Sequence, residues 1–237
     1  LLYIVYAFLC FPAQGFNTIS AIGAIAGTIT GTTFETDSTL YLVSFAVLII
    51  STAIISFGGI KKVTKVTDVI VPFMAVIYVV TAFLLIVFNF KLIPWFFEAV
   101  FTQAFKPDAV FGGAFGLALS QGIKRGLMSN EAGQGTITMP AAAAHVKHPC
   151  EQGCVQAIGV FLDTIVVCTL TGFVVILGRM WLSNDAQAWF ELGKLEKFLT
   201  SCGALTGNSG LYTPVTLAVS VCFGLFAYTC LLGFMSF

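Results

Sequence analysis

The chain has 237 residues, of which 58% are hydrophobic and only 9% are charged, with 11 basic and 11 acidic side chains. Soluble domains carry roughly 25% charged residues, so this composition predicts an integral membrane protein and argues against a soluble enzyme. The formal net charge is zero and no basic stripe is present, which argues against a nucleic-acid-binding protein. Because the chain begins at Leu1 and ends at Phe237 within apolar runs, we expect an internal piece of a longer protein.

Six apolar stretches are long enough to cross a bilayer, which takes about 20 helical residues. The backbone polar groups of a spanning segment must be satisfied inside the bilayer, so we expect helices. Residues 41–50 are apolar on nearly every side, whereas the strands of a membrane barrel alternate. The sequence therefore predicts an all-α integral membrane fold, with residues 1–237 as one transmembrane domain. The predicted spans are residues 1–27, 40–59, 69–88, 109–128, 153–178 and 212–237.

The breaks between the predicted spans differ in charge. Lys61, Lys62 and Lys65 lie in the break at 60–68, whereas the break at 28–39 holds only acidic charges. Cytoplasmic loops carry an excess of Lys and Arg, so we expect 60–68 in the cytoplasm and 28–39 outside.

Two later segments on the predicted outer side look like more than linkers. Residues 93–105 are rich in Trp and Phe and hold few charges, which favours a helix that lies at the membrane interface. Residues 186–199 are a similar amphipathic stretch.

Residues 112–144 form a glycine-rich stretch that also carries Lys124, Arg125, Asn130 and Glu131. Each glycine costs about 1 kcal/mol relative to alanine in a helix interior. Polar groups at a membrane edge need water or protein around them. Two interpretations remain open: a broken helix whose freed backbone lines a solute or ion pathway, or an ordinary helix end followed by a loop.

Asp163 lies in the middle of the fifth predicted span, with Thr164 beside it. A carboxylate at that depth costs roughly 2.5–3.5 kcal/mol on insertion scales, so we expect it to face the bundle and to have a partner. It could serve as an ion ligand, as a proton carrier, or as half of an ion pair with Lys124 or Arg125. The alternative is a purely structural ion pair or helix cap.

The first and last spans also hold polar side chains. Gln14 and Asn17 are three residues apart and so share a helix face, where they could contact a substrate or bond to a neighbouring helix. Thr229 lies in the middle of the last span. Its hydroxyl could face a ligand or bond a carbonyl of the preceding turn.

The sequence does not indicate a metal centre or a catalytic site. The seven cysteines lie mostly in apolar stretches without a pairing framework, which predicts reduced thiols buried in lipid or core. Cys150 and Cys154 lie near His145 and His148, but not at zinc-finger spacing. Ser129 lacks the G-x-S-x-G context of a hydrolase nucleophile, so we expect no enzymatic activity and no metal cofactor.

The segment GIKRGLMSNEAGQGT at 122–136 resembles the signature of the sodium:alanine (amino acid:cation) symporter family. Three other stretches are similar to the family pattern, at 58–79, 148–171 and 226–234. The stretch at 148–171 reads HPCEQGCVQAIGVFLDTIVVCTLT, and the stretch at 226–234 reads FAYTCLLGF. The resemblance covers essentially the whole chain.

The resemblance implies a five-plus-five inverted-repeat transporter fold, of which this chain holds about six helices, the family's third to eighth. It implies a discontinuous helix at 109–140 that helps to hold a small neutral amino acid, alanine or glycine. It also implies a sodium ion at Thr229 and Cys230 as the coupling ion, with no other cofactor. The implied substrate-binding residues are Gln14, Asn17, Gln121, Gly122, Gly126, Ser129, Asn130 and Phe234, and the implied buried charges are Asp163 and Glu131.

The implied function is sodium-coupled uptake by a multi-pass protein of the cell membrane, the bacterial inner membrane, with lipid, amino acid and sodium as its partners. The alternatives are a proton-coupled carrier that uses Asp163 or Glu131 and a membrane sensor that does not transport. The chain departs from the family pattern at Gly15, Cys230 and Phe234, where the family has Gln, Thr and Trp. These departures predict either that the pocket accepts another small or medium neutral amino acid or that its shape is changed.

Overall fold

The described part of the chain is predominantly helical and contains no strand. The computed structural model describes residues 2–31, 38–104, 114–130, 141–142, 144–181, 192–207 and 210–235. A 3-10 turn (Phe90–Leu92) and a π-helical turn (Leu162–Val167) adjoin the α-helices. The α-helices of the described part are α1 (Leu2–Thr30), α2 (Thr39–Ser56), α3 (Ile60–Phe88), α4 (Ile93–Ala104), α5 (Ala114–Ser129), α6 (Pro149–Phe161), α7 (Cys168–Trp181), α8 (Lys194–Thr206) and α9 (Tyr212–Met235).

Four helical segments of the described residues are long and apolar enough to cross a membrane. They are Thr39–Ser56, Lys61–Phe88, Pro149–Gly178 and Tyr212–Phe234, with mean hydropathies between 2.1 and 2.8. These segments confirm an all-α, multi-pass membrane protein. Each coincides with one of the six predicted spans.

The other two predicted spans also contain helix. In the first of them, α1 is 29 residues long. In the stretch predicted at 109–128, α5 has 16 residues, which corresponds to about 24 Å and is shorter than the hydrocarbon core. Residues 105–113 lie outside the described part of the chain.

The predicted loop at 60–68 is wrong, because α3 already begins at Ile60. The actual break is the short turn 57–59, where Gly59 has a φ of +73°, a conformation that glycine adopts at little cost. Lysine is a good helix former, and 29 residues correspond to about 43 Å, so the first turns of α3 extend beyond the hydrocarbon. The basic residues of this break therefore lie on a helix.

The two amphipathic segments have different outcomes. The stretch at 93–105 is helical over Ile93–Ala104, the part of it that the structure describes, and this helix is α4. In the described part of the stretch at 186–199, helix begins at Lys194, and α8 continues to Thr206. Residues 182–191 lie outside the described part.

The chain divides into two compact units. Unit 1 comprises Leu1–Leu85 and Gly178–Phe237, and its most extensive helix contact joins α1 to α9. Small residues bring the two helices close: a Cβ built at Gly224 would lie 3.0 Å from Ala21, and one at Gly15 would lie 3.7 Å from Leu231. The contact of Gly15 with Leu231 and of Ala21 with Gly224 shows that the two helices run antiparallel. Close approach at small residues is the usual mode of helix packing in membranes.

Unit 1 also holds α2 and α8. Tyr78 of α3 stacks on Phe198 of α8, with ring centroids 6.0 Å apart, and lies edge-on to Phe226 of α9 at 6.2 Å. Cys202 on α8 is fully buried, and burial raises the pKa of its thiol to about 12. The thiol is therefore protonated at neutral pH.

Unit 2 is Ile86–Leu177 and contains α4, α5, α6, the π turn and most of α7. An aromatic cluster joins α4 to α7, because Phe96 stacks on Phe173 with centroids 3.9 Å apart. Phe97 meets the same ring edge-on at 5.8 Å. The glycine-rich segment and the intramembrane carboxylate of the sequence analysis both belong to this unit.

Candidate functional site

The glycine-rich stretch is continuous helix over Ala114–Ser129. Gly116, Gly122 and Gly126 lie inside α5, and the N–H of Asn130 still bonds the carbonyl of Gly126 at 3.1 Å. The helix thus ends at Ser129 and Asn130. Residues 131–140, which include the predicted Glu131, lie outside the described residues, so the proposed break in the helix stays a prediction.

One face of α5 presents bare backbone. Gly122, Gly126 and Asn130 follow one another at intervals of four residues and so share a face. Among the described residues, no atom lies within 4 Å of a Cβ built at Gly122 or Gly126. A small solute can approach the backbone closely there. Gln121, next to this face, is exposed.

The span that carries Asp163 is interrupted by the π turn Leu162–Val167. The N–H of Cys168 bonds the carbonyl of Asp163 there, five residues back. Thr164 and the residues up to 167 are β-branched, which lowers their preference for regular α-helix. Single π turns inside α-helices often mark functional sites.

Two hydrogen bonds join the end of α5 to this π turn. The hydroxyl of Ser129 donates to Oδ2 of Asp163 at 2.6 Å. The hydroxyl of Thr164 donates to Oδ1 of Asn130 at 2.7 Å. Two successive residues of one helix are thus paired with two successive residues of the other. We call these four residues the α5–π cluster.

The hydrogen bond from Ser129 identifies the partner of Asp163. A distance of 2.6 Å is typical of a hydroxyl that donates to an ionised carboxylate, and such bonds are stronger than those between neutral groups. The donor is Ser129 rather than the predicted Lys124 or Arg125. The Arg125 guanidinium instead contacts the sulfur of Met128 at 3.9 Å.

Thr164 belongs to the α5–π cluster and Cys168 lies next to it. Neither was predicted as a site residue. Sγ of Cys168 lies 3.6 Å from Oγ of Ser129. The sequence did hold a signal for Thr164, because Asp163–Thr164 is a consecutive polar pair within an apolar span, as Ser129–Asn130 is at the end of one. The sequence alone does not show that these two pairs are in contact, so it could not identify Thr164 as a site residue.

The other predicted polar residues lie in unit 1. Nδ2 of Asn17 donates to Oε1 of Gln14 at 3.4 Å, which confirms that they share a face of α1. Both are half-buried. Thr18, the next residue, donates to the carbonyl of Gln14 at 2.9 Å.

The predicted ion ligands lie on α9. Thr229 is only 9% exposed, and its hydroxyl donates to the carbonyl of Phe226 at 3.0 Å. A hydroxyl that donates one bond keeps lone pairs that can coordinate a cation. Cys230 is exposed and Phe234 is half-buried.

A groove of about 250 Å³ lies within unit 1, between α1, α2 and α9. Thr18, Ser44, Ser51 and Tyr228 contribute polar atoms, and the rest of its wall is mainly aliphatic. A wall of this kind offers a zwitterion few partners. The α5–π cluster is therefore the stronger candidate for holding a polar solute.

Apolar helices long enough to cross a membrane, together with a polar cluster at a π turn, define a polytopic membrane protein with a polar site in one of its spans. The comparison with protein families places it more closely. The model of the sodium:alanine symporter family matches residues 1–237, and the chain belongs to that family.

Three relatives illustrate the similarity. The sodium/alanine symporter AgcS of Methanococcus maripaludis is 36% identical over 231 residues, which are 97% of this chain and 48% of the relative. The amino-acid carrier protein AlsT of Bacillus subtilis is 35% identical over 232 residues, 97% of this chain and 46% of the relative. The sodium/proton-dependent alanine carrier protein of Bacillus sp. strain PS3 is 48% identical over 120 residues, 51% of this chain and 27% of the relative. The chain spans no more than about half the length of these relatives.

The bond from Ser129 to Asp163 predicts a stability effect in the full-length carrier. Ser129→Ala removes the donor and leaves the carboxylate without that bond, which should lower the free energy of unfolding by about 1.5–3 kcal/mol. The apparent melting temperature in detergent measures the change. Ser51→Ala is the control, since the Ser51 hydroxyl bonds only the carbonyl of Leu48 in its own helix. Equal shifts for the two variants would contradict the assignment.

Proposed function

We propose that this chain forms part of a symporter that carries a small neutral amino acid, alanine or glycine, into the cell together with sodium. The transport cycle makes and breaks no covalent bond, and it works by alternating access to a site at the bilayer midplane. The rest of the carrier would complete the site. In this proposal the solute-binding residues are Gln14, Asn17, Gln121, Gly122, Gly126, Ser129, Asn130 and Phe234.

The single observation that carries the proposal is the α5–π cluster. Polar and ionisable groups are expensive inside a membrane and mark substrate or ion pathways. Here they meet where α5 ends, beside the bare backbone of Gly122 and Gly126. The C-terminal carbonyls of α5 and the carboxylate of Asp163 are acceptors that suit the ammonium group of a zwitterion, and the NH₂ group of Asn130 is a donor that suits its carboxylate.

Sodium would bind at α9. Sodium is a hard cation, and hard cations prefer oxygen ligands, so the hydroxyl of Thr229 is a better ligand than the thiol of Cys230. Thr229 is nearly buried, which would help to exclude water from a bound ion. The names of the relatives AgcS and AlsT, a sodium/alanine symporter and an amino-acid carrier, support the same class of cargo.

Proton coupling is the second candidate, and Asp163 is the observation that favours it. An ionisable side chain within a membrane span is typical of the proton relays of pumps and transporters. One relative is named a sodium/proton-dependent carrier. Uptake driven by a pH gradient in sodium-free vesicles would favour this candidate over the first.

The direct test uses the full-length carrier in proteoliposomes that are loaded without sodium. Labelled alanine should accumulate above its external concentration when sodium is outside. Replacement of sodium with choline should abolish accumulation, because no ion gradient then drives the cycle. Uptake that is unchanged in choline would refute sodium coupling, and the absence of any concentrative uptake of alanine or glycine would refute the proposed cargo.

A second test addresses Thr229. Thr229→Ala removes one oxygen ligand and should raise the sodium concentration for half-maximal uptake by about tenfold, with a smaller change in alanine affinity. Thr229→Ser should retain sodium binding. Thr213→Ala, on the same helix at an exposed position, is the matched control. An unchanged sodium half-saturation in Thr229→Ala would remove Thr229 from the ion site.

A further inference from the structure

Thr164 behaves unlike other threonines in the membrane-spanning helices of this chain. The hydroxyls of Thr18, Thr28 and Thr171 each donate to the carbonyl four residues back in the same helix, which is the usual arrangement in apolar surroundings. Thr164 donates instead to the side chain of Asn130, 34 residues away in the chain. Thr164 lies in the π turn, where the N–H of Cys168 bonds the carbonyl five residues back.

In this bond the oxygen end of an amide faces Thr164. Asparagine carries one acceptor oxygen and an NH₂ group with two donors. Since the oxygen of Asn130 accepts from Thr164, the NH₂ group is the part that, among the described residues, remains for a ligand. Without the hydroxyl of Thr164, the amide could turn over and present its oxygen, which would repel an anionic group.

The neighbouring pair supplies the opposite charge. Asp163, next to Thr164 in the chain, accepts from Ser129 through Oδ2. It thereby puts a carboxylate in the same cluster as the amide of Asn130. A ligand with a carboxylate and an ammonium group on one carbon has the charge pattern that complements this arrangement.

We infer that Thr164 is a positioning residue: its hydroxyl turns the NH₂ group of Asn130 toward the carboxylate of an α-amino acid, whose ammonium group faces Asp163. The inference rests on the proposed function and names the chemical group that the cluster recognises. Thr164 itself does not touch the solute. Its effect passes through Asn130, so it disappears when Asn130 is absent.

The experiment measures labelled alanine uptake by the full-length carrier in proteoliposomes. Thr164→Val keeps the shape of the side chain but removes the hydroxyl, and it should raise the KM for alanine about three- to tenfold with a smaller change in maximal rate. Thr164→Ser should restore the KM to near the wild-type value. Thr169→Val, the same substitution at an exposed position of α7, is the control and should leave the KM unchanged.

Two further readouts separate positioning from general destabilisation. Asn130→Ala should raise the KM, and addition of Thr164→Val to it should raise the KM no further, because the two residues act as one unit. In competition assays, wild type should prefer alanine to alaninamide, which lacks the carboxylate. In Thr164→Val, the preference for alanine over alaninamide should be smaller than in wild type.

Each outcome bears on one proposal. If Thr164→Val leaves the KM unchanged, if its effect adds to that of Asn130→Ala, or if Thr164→Ser fails to rescue, the positioning role is wrong. If wild type takes up no labelled amino acid, the proposed function fails before Thr164 is tested. If alaninamide inhibits the uptake of labelled alanine by wild type as strongly as unlabelled alanine does, the carboxylate is not recognised. That result would overturn the inference and leave the proposed function standing.

Discussion

The constraint on which this structure depends is the absence of water from the bilayer core. A polar side chain in a spanning helix must find its partner in the protein. Several hydroxyls of the described helices meet this demand within one helix, as that of Thr171 does by bonding the carbonyl of Val167. Asp163 and Thr164 meet it across helices, through Ser129 and Asn130. These exceptions are therefore where we place the recognition of a polar solute.

Much of the fold could be predicted because its causes are local. Apolar runs of about 20 residues and their polar breaks located the spans, and the aromatic stretch at 93–105 marked α4. The wrong prediction at 60–68 also has a local cause. Lys61, Lys62 and Lys65 mark a membrane boundary, but charge does not end a helix, so α3 begins before them.

The site was predictable only in part, because its decisive contacts join residues far apart in the chain. The motif containing Ser129 and Asn130 was visible, and so was a carboxylate at 163 that needed a partner. No local pattern pairs Ser129 with Asp163. Charge complementarity favoured Lys124 or Arg125, rather than a hydroxyl, as the partner of the carboxylate. The π turn was equally hidden, since β-branched residues are common in membrane spans and rarely cause one.

The central claim is that a solute binds beside the bare face of α5 at the α5–π cluster. The most direct measurement is the rate at which a maleimide labels Gly126→Cys in a full-length carrier freed of its other cysteines, since a Cβ at Gly126 meets open space among the described residues. Alanine with sodium should slow the labelling, and alanine with choline should not. A labelling rate that alanine leaves unchanged in the presence of sodium would contradict the claim.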